Sequence, residues 1–85
     1  MMNDLVENKI RELIKECMPK FERVKNLKNN DDLLFLGLDS ISFIKLVVLL
    51  ETNFAIQIPD EKLLLSEFST IDKILKIVNQ LKSET

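Results

Sequence analysis

The sequence contains no histidine, no tryptophan and no tyrosine, and it has only one cysteine and one glycine. Without histidine, the chain alone cannot build a Ser-His-Asp triad, a Cys-His dyad or a histidine-ligated zinc or haem site. With one glycine and no large polar aromatics, it also lacks the usual nucleotide-binding loops and base-stacking platforms. We therefore expect no catalytic residues and no metal site in this chain, and argue against a self-sufficient enzyme.

A large excess of one charge is also missing, since 12 basic residues face 14 acidic ones and the net charge is −2. This balance is too weak, and of the wrong sign, for a nucleic-acid-binding protein. The distribution of charge along the chain is more informative than the net charge. Residues 31–67 hold seven acidic and two basic residues, which gives this segment a net charge of −5. Such an acidic middle segment could steer basic partners.

Long hydrophobic runs are absent as well. The longest apolar run, residues 46–50, is far too short to span a bilayer. The first residues lack the basic region and apolar stretch of a signal peptide. We expect a monomeric protein of the reducing cytoplasm that does not associate with membranes, with Cys17 as a small core residue rather than a redox group.

The 85 residues suffice for one domain with a single modest core. Apolar residues at helical spacing predict a first helix over residues 3–17, with Asn3 or Asp4 as its cap and Pro19 ending it. Its stripe comprises Val6, Ile10, Leu13, Ile14 and Cys17. A capping box from Ser69 to Asp72 predicts the start of the last helix. The stripe of that helix comprises Ile71, Ile74, Leu75, Val78 and Leu81.

The apolar residues between positions 18 and 39 have no regular spacing, which predicts a long loop between the first two helices. Five apolar side chains should pin this loop to the core: Phe21, Leu27, Leu33, Phe35 and Leu36. The polar run 29–32 lacks the ligand spacing and the glycine of an EF-hand, so we interpret it as solvated loop.

A second helix should begin at Asp39 or Ser40 and run to Asn53, because Gly37 allows the turn and the dipeptide is a natural cap. A short helix should follow Pro59, with acidic residues in its first turn. The expected fold is therefore all-α, a small bundle of three main helices plus one short helix, with a long loop between helices 1 and 2.

The predicted second helix is apolar on two sides, which is unusual in so small a bundle. Its core stripe comprises Phe43, Val47, Leu50 and Phe54, with Leu46 beside them. Its other stripe, here called the outer stripe, comprises Ile41, Ile44 and Val48 on roughly the opposite side. The outer stripe should meet water, a partner protein or a ligand, unless the long loop covers it.

Ser40 lies at the predicted start of this helix, where free backbone N–H groups and the helix dipole favour a phosphate. The residues Leu36-Gly37-Leu38-Asp39-Ser40-Ile41 resemble the phosphopantetheine attachment motif of acyl and peptidyl carrier proteins. The resemblance continues through Glu51-Thr52-Asn53-Phe54 and Ile56-Gln57-Ile58-Pro59-Asp60 to the Ser-Thr-Ile start of the last helix. It covers about residues 3–82 and implies a single carrier domain over residues 1–85.

In that family a phosphopantetheinyl transferase moves 4′-phosphopantetheine from coenzyme A onto the serine, and the terminal thiol of the arm carries acyl or aminoacyl groups as thioesters. The resemblance implies that Ser40 is the attachment residue and that Asp39 helps recognition by the transferase and its magnesium. The other recognition residues that it implies are Ile41, Ile44, Val48 and Glu51. The remaining partners would be acyl- or aminoacyl-loading and condensing enzymes, and the carrier itself would be non-catalytic.

The motif and the charge of the second helix bear on the pathway. Carriers of bacterial fatty acid synthesis typically have Gly-Ala-Asp-Ser-Leu and a strongly acidic second helix. Here the motif is Gly-Leu-Asp-Ser-Ile, and only Lys45 and Glu51 are charged after Ser40 in that helix. This form looks more like polyketide or nonribosomal peptide carriers and favours a specialised pathway. A housekeeping fatty acid carrier and a D-alanyl carrier are alternatives, and a helical protein-interaction domain with an unmodified serine is the alternative of another class.

Overall fold

The computed structural model describes the backbone of residues 2–18 and 27–83, with side chains from Leu5 onwards. The described residues form three α-helices: α1 (Met2–Cys17), α2 (Ser40–Phe54) and α3 (Ile71–Ser83). Two 3₁₀ helices, Asp60–Lys62 and Leu65–Phe68, connect α2 to α3, and the described ranges contain no strand. The all-α prediction is confirmed, and the short helix after Pro59 is a 3₁₀ turn. The second 3₁₀ helix was not predicted.

Helices α1 and α3 pack against each other and against α2 through their predicted apolar stripes. All five stripe residues of α1 are buried, and Cys17 is among them, as predicted. In α3 the stripe is shifted slightly, because Ile77 is buried whereas Leu75 packs only partly against the core. Burial also raises the pKa of the Cys17 thiol above its ordinary value.

The beginning of α1 differs from the prediction by one or two residues. The helix begins at Met2, ahead of Asn3 and Asp4, and it ends at Cys17. Asn3 and Asp4 therefore lie within the first turn of the helix and not at its N-cap, so the predicted capping role is wrong. Pro19 lies outside the described part of the chain, so its terminating role stays a prediction.

The beginning of α3 corrects the predicted capping box. The hydroxyl of Thr70 accepts a 3.1 Å hydrogen bond from the amide of Lys73, which is the pattern of an N-cap. Ser69 is buried instead, and its hydroxyl donates to the carbonyl of Ser66 at 2.9 Å. The cap is therefore one residue later than predicted, because Ser69 is occupied in closing the preceding 3₁₀ helix.

The described part of the long loop is tied to α1 through Asn29. The side-chain amide of Asn29 donates to Glu7 Oε1 at 2.7 Å, and its Oδ1 accepts a hydrogen bond from Arg11. Arg11 also donates to the carbonyl of Leu27, and the backbone carbonyl of Asn29 accepts from the amide of Asp72 at 3.0 Å. Asn29 thus links the loop to both α1 and α3, and the interpretation of this residue as part of a solvated loop is wrong.

The apolar side chains of the loop divide between core and solvent. Leu27 and Leu33 are buried and Leu36 packs partly against the core, as predicted, whereas Phe21 lies outside the described residues. Phe35 is 87% exposed, which contradicts its predicted role as a core anchor.

A tight turn explains the exposure of Phe35. The amide of Leu38 donates to the carbonyl of Leu33 at 2.9 Å, and the amide of Gly37 donates to the carbonyl of Leu34 at 3.2 Å. Gly37 has a φ of 116°, a conformation that side-chain-bearing residues rarely adopt. The turn therefore buries its two ends, Leu33 and Leu38, and presents Phe35 to solvent.

The core stripe of α2 is confirmed in its centre and corrected at its ends. Leu46, Val47 and Leu50 are buried. Phe43 and Phe54 are only partly buried: the ring of Phe43 packs edge-on against Phe68, and the ammonium of Lys82 lies 5.5 Å from the centroid of the Phe54 ring. Phe68, on the unpredicted 3₁₀ helix, is the fully buried aromatic residue at the centre of the described core.

Among the residues that the structure describes, no helix combines the length and the apolar character needed to cross a membrane.

Candidate functional site

The N-terminus of α2 is capped by Asp39. Its backbone is extended, with φ −108° and ψ −176°, and its Oδ1 accepts a 2.8 Å hydrogen bond from the amide of Ser42. The carbonyl of Asp39 accepts from the amide of Phe43 at 2.8 Å and so begins the helical ladder. The predicted start of the helix is confirmed, and of the two candidate caps the aspartate takes that role.

Asp39 places a negative charge at the positive end of the helix dipole. Hydrogen bonds from the amide and hydroxyl of Ser42 lower the pKa of the Asp39 carboxyl, although the group is fully exposed. Asp39 is therefore ionised at neutral pH, and an acidic group stands directly before Ser40 in the sequence.

Ser40 is the first residue of α2 and is exposed. Its hydroxyl makes no hydrogen bond to any other residue in the described part of the chain, since Asp39 already occupies the capping position. Two residues earlier, Leu38 is buried and anchors the start of the helix to the core. The fold thus holds the backbone of Ser40 in place and leaves its hydroxyl accessible for reaction.

The outer stripe of α2 is exposed, as predicted. Ile41, Ile44 and Val48 have 80%, 61% and 54% of their surface accessible. The described part of the long loop does not cover them. Apolar surface of this extent beside an accessible serine is suited to contact with another molecule.

Glu51, the other residue expected at the recognition surface, has a structural role. Its Oε2 accepts a 2.9 Å hydrogen bond from the amide of Ile58, which joins the last turn of α2 to the segment that follows it. The backbone of Ala55 then leaves the helix in the left-handed region, at φ 53°. Glu51 is half-buried and lies about three helical turns from Ser40, so it is not part of the immediate surroundings of the hydroxyl.

These features fit a phosphodiester on the serine. An exposed hydroxyl at a helix N-terminus lies beside backbone N–H groups without helical partners and beside the positive end of the dipole, both of which stabilise an attached phosphate. Ser40 would hold the group, and the outer stripe, which begins at Ile41, would provide apolar surface next to it.

A helical domain that presents such a serine at the head of its second helix has the architecture of a carrier. The family model described as phosphopantetheine attachment site matches residues 8–78 of the chain. The chain therefore belongs to the phosphopantetheine attachment site family, and the domain is an attachment site for covalent 4′-phosphopantetheine. Comparison with curated proteins gave no match.

Membership of the phosphopantetheine attachment site family supports the carrier role that the sequence led us to expect. Domains of this family generally act as non-catalytic carriers and interact with phosphopantetheinyl transferases and with other enzymes in trans. The matched segment includes α2, both 3₁₀ helices and most of α1 and α3.

Sequence reasoning missed the exposure of one residue that precedes the site in the chain. Phe35 was assigned to the core, but it is an exposed aromatic side chain five positions before Ser40. The sequence did contain a signal, because Gly37 permits a turn that would project the residues before it. Loop sequences have no periodicity from which the direction of a side chain could be predicted.

Proposed function

We propose that this chain is a monomeric carrier protein of the cytoplasm that holds acyl or aminoacyl groups on a phosphopantetheine arm attached to Ser40. The observation that carries the proposal is the exposed Ser40 hydroxyl at the first residue of α2, free of the capping role that Asp39 fulfils. When attached, the arm supplies a terminal thiol that carries its cargo as a thioester. Residues 1–85 act as a single carrier domain and perform no catalysis.

The attachment reaction requires only the serine hydroxyl from this chain. Ser40 Oγ forms a bond to the phosphorus that bears the pantetheine group of coenzyme A. The P–O bond that joins this phosphorus to the adenosine half breaks, and adenosine 3′,5′-bisphosphate leaves. The hydroxyl proton passes to a base of the transferase, since Ser40 has no hydrogen-bonded base among the described residues.

Recognition by the transferase and by the acyl- or aminoacyl-loading and condensing enzymes is assigned to the surface around Ser40. Asp39 supplies an ionised carboxylate next to the reacting hydroxyl, where it could interact with the magnesium of the transferase. The outer stripe supplies the apolar contact. Glu51 contributes at the far end of α2, in addition to its hydrogen bond to Ile58.

Intact-mass measurement tests the attachment site. Wild-type protein incubated with coenzyme A and a broad-specificity phosphopantetheinyl transferase should gain one phosphopantetheine group, and Ser40→Ala should gain none. Ser66→Ala removes the hydroxyl of an exposed serine outside α2 and is the matched control, which should be modified normally. A mass gain in Ser40→Ala would overturn the assignment, and no gain in the wild type would favour the alternative of an unmodified interaction domain.

For the pathway we propose a specialised polyketide or nonribosomal peptide system rather than housekeeping fatty acid synthesis or D-alanylation. The support is the sparse charge of α2 after Ser40: Lys45 is exposed, and the carboxylate of Glu51 is engaged with Ile58. The exposed acids Asp39, Asp60, Glu61 and Glu67 lie outside the body of α2. Contact along α2 should therefore be mainly apolar.

Salt dependence tests this choice of pathway. Exposed ion pairs are worth about 0–1 kcal/mol each and are screened at a Debye length of about 8 Å in physiological salt. Binding of this carrier to its cognate enzyme should weaken less with ionic strength than binding of a glutamate-rich fatty acid carrier to its ketosynthase. Tight, strongly salt-dependent binding of this carrier to the fatty acid ketosynthase would restore the housekeeping alternative.

A further inference from the structure

We infer that Phe35 is a recognition residue for the transferase that modifies Ser40, and that it inserts into an apolar pocket of that enzyme. This inference rests on the proposed attachment at Ser40. The side chain is 87% exposed and is the most exposed large hydrophobic residue in the described part of the chain.

The fold fixes Phe35 in this exposed position. Hydrogen bonds from Leu38 to Leu33 and from Gly37 to Leu34 close the turn that carries it, and the amide of Leu36 donates to the carbonyls of Asp32 and Leu33. The ends of the turn are buried, so the tip cannot fold back without breaking these contacts. The aromatic ring is presented on a constrained turn, which lowers the entropy lost when a partner binds it.

Phe35 lies within reach of any enzyme that encloses the Ser40 hydroxyl. Five residues of fully extended chain span at most about 18 Å, and the turn between Leu33 and Leu38 shortens this path. A standard interface buries about 800 Å² on each partner, equivalent to a disc of roughly 16 Å radius. A partner centred on Ser40 can therefore reach Phe35, and aromatic residues, phenylalanine included, are enriched at protein interfaces.

The transferase fits this surface better than the enzymes that use the loaded arm. It must bring a phosphorus atom to the Ser40 hydroxyl itself, whereas the other enzymes act at the distant end of the arm. The exposed carboxylates of Asp32 and Asp39 lie on the two sides of Phe35 in the sequence. The complementary enzyme surface is thus an apolar pocket with basic residues at its rim.

Steady-state modification kinetics test the inference, with coenzyme A and a broad-specificity phosphopantetheinyl transferase as the probe. For Phe35→Ser, kcat/KM should fall about tenfold, which corresponds to about 1.4 kcal/mol of lost contact. Phe35→Leu should recover most of the loss because it restores an apolar side chain. Leu5→Ser removes a comparably exposed apolar residue from α1 and is the matched control, which should be modified at the wild-type rate.

The outcomes separate this inference from the attachment proposal. If wild-type protein is modified at Ser40 and Phe35→Ser is modified equally fast, the role of Phe35 is overturned and the attachment site stands. If only transfer by a loading or condensing enzyme is slowed, the partner has been assigned wrongly. If the wild type is not modified at all, both proposals fail. Thermal unfolding of each variant should match the wild type, since neither side chain contributes to the core.

Discussion

The amide of Ser42 donates a 2.8 Å hydrogen bond to Oδ1 of Asp39, and this contact makes the aspartate the cap of α2. The neighbouring Ser40 is consequently not required for starting the helix. A serine that both capped the helix and carried a phosphodiester would lose its cap on modification. Here Asp39 is the cap, so the modification proposed at Ser40 would leave the start of the helix intact.

The first prediction compares the two residues of this pair by urea unfolding. Ser40→Ala should change the free energy of unfolding by less than about 0.5 kcal/mol, as is usual for exposed positions without a specific contact. Asp39→Ala should destabilise the domain more, because the amide of Ser42 loses its acceptor. Equal losses for the two variants would show that the serine shares the capping role.

The second prediction concerns acid pH. The pKa of Asp39 is lowered from 3.8 in the folded protein by its hydrogen bonds to Ser42. The stabilisation from the ionised form is therefore fully present above the unfolded-state pKa and is lost as the pH falls through the folded-state value. Asp39→Asn keeps a capping oxygen without the charge. The difference in the free energy of unfolding between the wild type and this variant should be constant near neutral pH and should decrease below about pH 4.

Comparison of the wild type with Asp39→Asn at each pH isolates the contribution of this one carboxylate. Urea midpoints of both proteins at pH 7, 5 and 3 supply the measurement. A difference that persists unchanged well below the ordinary aspartate pKa would mean that the charge of Asp39 does not stabilise the fold.

The third prediction uses two neighbouring valines of α2 with opposite environments. Val48 is 54% exposed on the outer stripe, whereas Val47 is 8% exposed and packs in the core. Val48→Asp should leave the melting temperature nearly unchanged and slow modification by the transferase. Val47→Asp should cost about 3 kcal/mol or more, because it forces an unpaired carboxylate into the core. Unfolding of Val48→Asp would show that this face is covered in solution.

The fourth prediction contrasts two adjacent asparagines. Asn29 bonds to Glu7 and Arg11 on α1 through its side chain, whereas Asn30 is exposed and has no side-chain hydrogen bond to a described residue. Asn29→Ala should cost about 1–3 kcal/mol, since charged partners lose their hydrogen bonds. Asn30→Ala should stay within about 0.5 kcal/mol of the wild type. Chemical denaturation of the two variants side by side measures the difference, and similar values would remove the anchoring role of Asn29.

The helices could be predicted from the sequence because a period of 3.6 residues relates position to face. That relation identified the buried stripe of α1, most of the stripe of α3 and the two faces of α2, and with them the exposure of Ile41, Ile44 and Val48. The head of α2 was also predictable, since a capping residue and a preceding glycine are local signals. The helical parts of the site could therefore be predicted from the sequence.

The connections were predicted less well because burial there depends on long-range contacts. Phe35 is exposed since the turn around Gly37 buries Leu33 and Leu38 in its place. Ser69 failed as a cap because its hydroxyl closes the 3₁₀ helix that contains Phe68. Neither a turn closed by backbone hydrogen bonds nor a 3₁₀ helix of four residues has a periodic signature.

The burial of Cys17 has a practical consequence for chemistry at the site. It is the only cysteine of the chain, it is buried in the core, and its raised pKa keeps it in the unreactive thiol form at neutral pH. Aromatic disulfide reagents and maleimides should therefore leave the unmodified native protein untouched. Any thiol that reacts rapidly in the native modified protein would belong to the arm. Colorimetric thiol titration could therefore count the carriers whose arm is free of cargo, without mutating the chain.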